Sequence, residues 1–159
     1  MTITSAICNS FKVEILKGIH VFTASTGDTF KIALYSSDSA ALSKSTTVWA
    51  AASDPTANPT DTYEVTTTGS GYASGGSALT STTPALSGDT ACCLFSSISW
   101  GSTASFTARG CLIYNNTATP DSKQAVCAIN FGADKTVTSG TFTIEFPAQT
   151  AGNAIIQIA

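Results

Sequence analysis

The chain contains one histidine, His20, so any Ser-His-Asp or Cys-His catalytic arrangement would have to use it. Its local context, "KGIHVF", supplies neither a nucleophile nor a carboxylate. It reads as a helix-end histidine, favoured there by the negative end of the helix dipole. The acids are Glu14, Asp28, Asp38, Asp54, Asp61, Glu64, Asp89, Asp121, Asp134 and Glu145. Most fall in turn-like contexts, where Asp bonds its own backbone. No spacing singles out a glycosidase pair. Neither "GADK" nor "TGD" has the alternating acids of a calcium loop. The cysteines, Cys8, Cys92, Cys93, Cys111 and Cys127, are odd in number and include no CxxC, which suggests neither a full disulfide set nor a zinc site. Cys92 and Cys93 would face opposite sides of a strand. All five read as small buried hydrophobes. No residue is assigned as catalytic, cofactor-binding or metal-binding.

The stretch "TGSGYASGGSALT", Thr68 to Thr80, raises the possibility of a phosphate cradle. A P-loop needs a lysine after its last glycine, and none stands here. A dinucleotide turn needs G-x-G-x-x-G, whereas Gly69, Gly71, Gly75 and Gly76 are spaced one residue too long and no helical period follows. The expectation is a bent, glycine-broken strand with Tyr72 as its large side chain. Asn115-Asn116-Thr117 matches a glycosylation sequon. Trp49, Trp100, Tyr35, Tyr63, Tyr72 and Tyr114 could line a sugar-binding face, but scattered aromatics in a β-domain are more often core.

These residues need a scaffold, and the bulk numbers describe it. A length of 159 residues favours a single domain, 1–159. Charged residues make up 11% and the net charge is −3, while hydrophobic residues make up 43%, so the chain should fold. Seven scattered basic residues argue against nucleic acid. No apolar run approaches a membrane span. The opening "MTITSAICNSFKVEILKGIHVF" lacks a signal-peptide pattern, which points to synthesis and folding in the cytosol.

The first segment, about 4–20, is expected to be helical. Thr4 or Ser5 would cap it, and Cys8, Phe11, Ile15, Ile19 and Phe22 would form its apolar stripe. Gly18 weakens the last turn, so the helix should end near His20. A β-domain, about 28–159, follows. "TFKIALYSS" places Phe30, Ile32 and Leu34 on one face, with Lys31, Ala33 and Tyr35 on a solvated or partner-facing side. Residues 38–61 read as a long surface loop because of Pro55 and Pro59. Further strands are expected in "TYEVTTT", "GYASGGSALT", "TACCLFSSISW", "ASFTARGCLIYNN", "KQAVCAINFG", "GTFTIEFP" and "NAIIQIA". The turns between them are "SGD", "NNTATPDS", "GADK", "TSG" and "PAQTAGN". The fold class is mainly β: an antiparallel sandwich or barrel-like domain with one N-terminal helix.

The order "AICNSFKVEILKGIHVF", "GDTFKIALYSS", "LSKSTTVW", "YEV…GSGYASGGSALT", "SFTARGCLIYN", "AVCAINFG.DK", "SGTFTIEFPA", "AIIQIA" resembles a family of small tailed-bacteriophage virion structural proteins over nearly the whole chain. It departs at "WAAASDPTANPTD", which looks like an insertion, and at the cysteines. The resemblance implies a non-enzymatic capsid cement (decoration) protein without cofactors. Its expected partners are the major capsid protein and itself, as a symmetric homo-oligomer with a trimer favoured, and it would sit on the outer capsid surface of the virion. The contacts are expected on the 38–61 loop and exposed turns. The alternatives are a tail adaptor, fibre or baseplate component, and a glycan- or receptor-binding β-sandwich module.

Overall fold

The computed structural model describes residues 2–36, 42–49, 63–117 and 123–159. They form β1 (Ala6–Ile7), α1 (Asn9–Leu16), β2 (Phe30–Tyr35), β3 (Ser77–Leu79), β4 (Ala85–Ser87), β5 (Thr90–Cys93), β6 (Ile98–Asn115), β7 (Gln124–Ile144) and β8 (Ile156–Ile158). The fold is mainly β, with antiparallel sheets and one short helix, as the strand spacing predicts. One sheet has the order β1-β7-β6-β2-β3 and the other β4-β5-β8. A continuous core runs from Ile3 to Ile156. Phe30 of the first sheet lies 4.4 Å from Phe22 and 5.4 Å from Phe95, which precedes β6. Among the described residues no helix is long and apolar enough to cross a membrane.

The helix is shorter than its apolar spacing suggests. Ala6 and Ile7 pair with Ala128 and Cys127 as an edge strand, so the helix cannot begin before them. Ser5 does not cap it, because its Oγ accepts from the Asn130 amide instead. The N-cap position is Cys8, which makes no side-chain cap. Gly18, at φ +71°, ends the turn after Leu16. Ile19 and Phe22 therefore belong to the extended segment beyond the helix.

The predicted turns "GADK" and "TSG" do not reverse the chain. Both lie inside β7, which pairs with β6 from Asn115↔Gln124 to Ile98↔Ile144. Thr138 and Ser139 stand opposite Ser105 alone, between the pairs Ala104↔Gly140 and Phe106↔Val137. Ser139 takes φ +45°, and its amide donates to the Ser105 Oγ. Four residues, Phe131 to Asp134, stand opposite Arg109, with Gly132 at φ +77° and an Arg109–Asp134 ion pair of 3.3 Å. The turn chemistry is real, but it builds bulges that re-aim one long hairpin.

Four other expectations change. The "TYEVTTT" strand reduces to a bridge, Tyr35↔Glu64, and "GYASGGSALT" contributes only β3. Both faces of β2 are buried: Ala33 and Tyr35 are as enclosed as Ile32 and Leu34, and the 63–76 segment runs along the strand's edge beyond β3. Within the expected 38–61 loop, residues 42–49 are pinned down. Thr4 and Asn9 donate to the carbonyls of Leu42 and Lys44, Trp49 donates to Lys123, and Ala125 donates to Thr47. The rest of that loop, with Asp38, Asp54, Asp61, Pro55 and Pro59, lies outside the described residues, as does Asp121.

Candidate functional site

Among the described residues, two clusters of polar groups could do chemistry, and both are turned inward. The first surrounds His20. Its ring is buried 4.8 Å from Phe11, beyond the helix rather than at its end. Asn115 has its orientation fixed from two sides: its Oδ1 accepts from the Thr117 amide and its Nδ2 donates to Asp28 Oδ2 at 2.6 Å. That Nδ2 also faces His20 Nδ1 at 3.1 Å, so Nδ1 is the acceptor. The other ring nitrogen, Nε2, faces Glu14 Oε2 at 2.9 Å. Both ring nitrogens are thereby engaged, and neither is free to take a proton from a substrate. The cluster ties the helix, the 20–28 segment and the end of β6 together. Asn115 is itself buried, so the sequon asparagine is spent on this network.

The second place is the glycine-rich stretch. Gly69, Gly71, Gly75 and Gly76 all take positive φ, between +66° and +79°. The segment is a run of tight turns rather than a bent strand, and β3 begins only at Ser77. It does cradle an anion, and that anion is the protein's own Glu64. The Gly75 amide donates to Glu64 Oε1 at 2.7 Å, the Tyr72 hydroxyl donates to the same oxygen at 2.7 Å, and Ser74 reaches Oε2 at 3.3 Å. The Tyr72 oxygen accepts from the Leu34 amide at 2.9 Å, which locks the stretch onto β2. Ser70 donates to the Thr66 carbonyl and holds the preceding turn. Tyr114 donates to the Gly75 carbonyl at 2.7 Å and stacks on Trp49, with Lys123 Nζ 5.2 Å from the Trp49 ring. Burial pushes the Glu64 carboxyl above its usual range, and the three donors and Lys31 offset this only in part. Burial, reinforced by the Glu64 charge, pushes the Tyr72 and Tyr114 hydroxyls up too.

Glu64 was hard to find from sequence. The only signal was an acid between Tyr63 and Val65, with a tyrosine among glycines eight residues on.

The thiols behave as small hydrophobes. All five are free and buried. Burial pushes Cys93 up to about 11 and, with the Glu14 charge, Cys8 up to about 12. Cys111 and Cys127 are raised as well, chiefly by burial. The aromatics proposed for a sugar face are also interior. Trp49, Trp100, Tyr35, Tyr72 and Tyr114 are buried and Tyr63 is half-buried. Trp100 packs against Tyr72, Phe106 and Phe142.

No family model, curated protein or solved structure matches this chain. The fold and the residue geometry therefore carry the functional reading.

Proposed function

We propose that the chain is a non-enzymatic structural protein of a tailed-bacteriophage virion. It acts as a cement protein on the outer capsid surface, bridging neighbouring capsid subunits as a symmetric homo-oligomer. The observation that carries this reading is how the side chains divide. Histidine, buried carboxylate, thiols and tryptophans all hold the fold together from inside. What faces outward is a serine- and threonine-covered hairpin, including Ser99, Thr107, Thr136 and Thr143, with a few large apolar side chains elsewhere. Such a surface suits contact with other proteins. The order of segments across the chain, which resembles virion structural proteins, gives that contact its setting.

A cement protein binds the assembled shell and not its free subunits, so it stabilises the shell by mass action. Repetition across symmetry-related sites multiplies weak contacts. Shells stripped of this protein should release DNA at a lower temperature than intact ones. Adding the purified protein back to saturation should restore the release temperature, read by a DNA dye during a heating ramp. A release temperature unmoved by stripping and by add-back would contradict the reading.

A further inference from the structure

We infer that an apolar stripe across α1 and the small sheet is the surface by which two copies of this chain pair about a two-fold axis. The stripe follows from register. Leu86 pairs with Ala91 and Ala91 with Ile158, so the three point to one face across β4, β5 and β8. Ile158 shares a groove of about 300 Å³ with Phe11, Ile15 and Leu16 of the helix. The stripe thus runs Leu16, Ile158, Ala91, Leu86. Leu16 is 89% exposed, Leu86 74% and Ile158 60%. They are three of the five large hydrophobic side chains exposed among the described residues.

The charges at the two ends identify the occupant. At the helix end stand Lys12, which lines the groove, and Lys17, beside Leu16; both are exposed. The one acid of the helix, Glu14, turns inward to His20 and is outnumbered by the two lysines, so that end stays positive. At the other end, the β4–β5 turn carries exposed Asp89, just past the Ser87↔Thr90 pair that follows Leu86↔Ala91. A stripe that is apolar in the middle, positive at one end and negative at the other is complementary to itself when rotated by half a turn. Leu16 then meets the partner's Leu86, Ile158 meets the partner's Ala91, and each lysine end meets the partner's Asp89. The same surface serves both copies, as a closed pair requires. An apolar centre with a charged rim is the usual anatomy of such a contact. A trimer would need two different surfaces, so this inference replaces the trimer that the family resemblance favours.

The test uses the purified full chain alone, so binding to shells plays no part in its outcome. Sedimentation equilibrium should show a monomer–dimer equilibrium. The substitutions are all at exposed positions, and unchanged thermal melts would verify that each variant folds. Leu16→Asp should weaken the dimer by about 30-fold or more, as loss of an interface anchor does. Asp89→Lys should weaken it by about tenfold, since two symmetric charge contacts reverse together. Adding Lys12→Glu and Lys17→Glu to Asp89→Lys should restore most of the loss. Four results would overturn the inference: a wild-type monomer at every concentration up to the millimolar range, a trimer, a dimer indifferent to Leu16→Asp, or a charge reversal that the compensating changes fail to rescue. A trimer would overturn the pair while leaving the capsid reading intact.

Discussion

Replacing Gly76 by alanine is expected to leave no stably folded protein. A Cβ at that position would be driven into the carbonyl of Ile32 and would sit 2.9 Å from the Ala33 Cα. Both neighbours are backbone of a central strand, so neither can swing aside. The φ of +69° adds left-handed strain for any residue with a side chain. Overlap with backbone on this scale belongs to the rare class of substitutions costing more than about 4 kcal/mol. Gly69 is the control. It has a similar φ of +66° but nothing within 4 Å of an added Cβ, so Gly69→Ala should cost only about 1–2 kcal/mol of conformational strain. Urea denaturation of the two variants separates space from strain. A Gly76→Ala protein with a near-normal midpoint would show that the glycine stretch does not lie against β2 as described.

Glu64→Ala should be the next most damaging change. It removes the acceptor for the Tyr72 hydroxyl and the Gly75 amide together, at a half-buried site. Two orphaned donors cost about 2–4 kcal/mol. Glu64→Gln should be benign, because its carbonyl oxygen can accept both bonds and its amide can donate to Ser74. The two forms should also differ in pH dependence. The folded-state pKa of Glu64 is raised, so the folded protein holds that proton more tightly than the unfolded chain. The stability this contributes is fully present below the unfolded-state glutamate pKa of about 4.3 and is lost as pH rises through the folded value. Wild type should therefore lose stability relative to Glu64→Gln across that window, with no further change above it. Parallel stability curves for the two proteins from pH 4 to 8 would refute the raised carboxyl.

Alternation and turn chemistry made the β class legible in the sequence. "GTFTIEFP" behaves as its pattern predicts: Phe142, Ile144 and Phe146 are half-buried, while Thr141, Thr143 and Glu145 face solvent. Local signals failed where tertiary pairing outweighed them. Cys8, Phe11 and Ile15 do follow a helical period, but pairing of Ala6 and Ile7 with β7 consumed the expected first turn. Gly132 announces positive φ equally well for a turn or a bulge, and only the partner strand distinguishes them. At the second bulge the positive φ falls on Ser139 rather than on Gly140, which no local signal announces. The glycine stretch carried the same ambiguity. Its sequence failed the P-loop and dinucleotide patterns, but nothing local revealed that its anion was Glu64, because the Tyr72 donor is held in place by the Leu34 amide of β2. The exposed stripe was hidden for a related reason. Leu16, Leu86 and Ile158 are far apart in sequence, and two strand registers and a helix bring them together.

The central claim is that this chain works by covering a shell, and copy number tests it most directly. Virions that carry the protein would be purified, separated on a denaturing gel, and the band quantified against the major capsid protein. A cement protein should approach the number of capsid subunits. A count in the tens or fewer would place the protein in the tail, and its absence from the particle would contradict the structural role altogether.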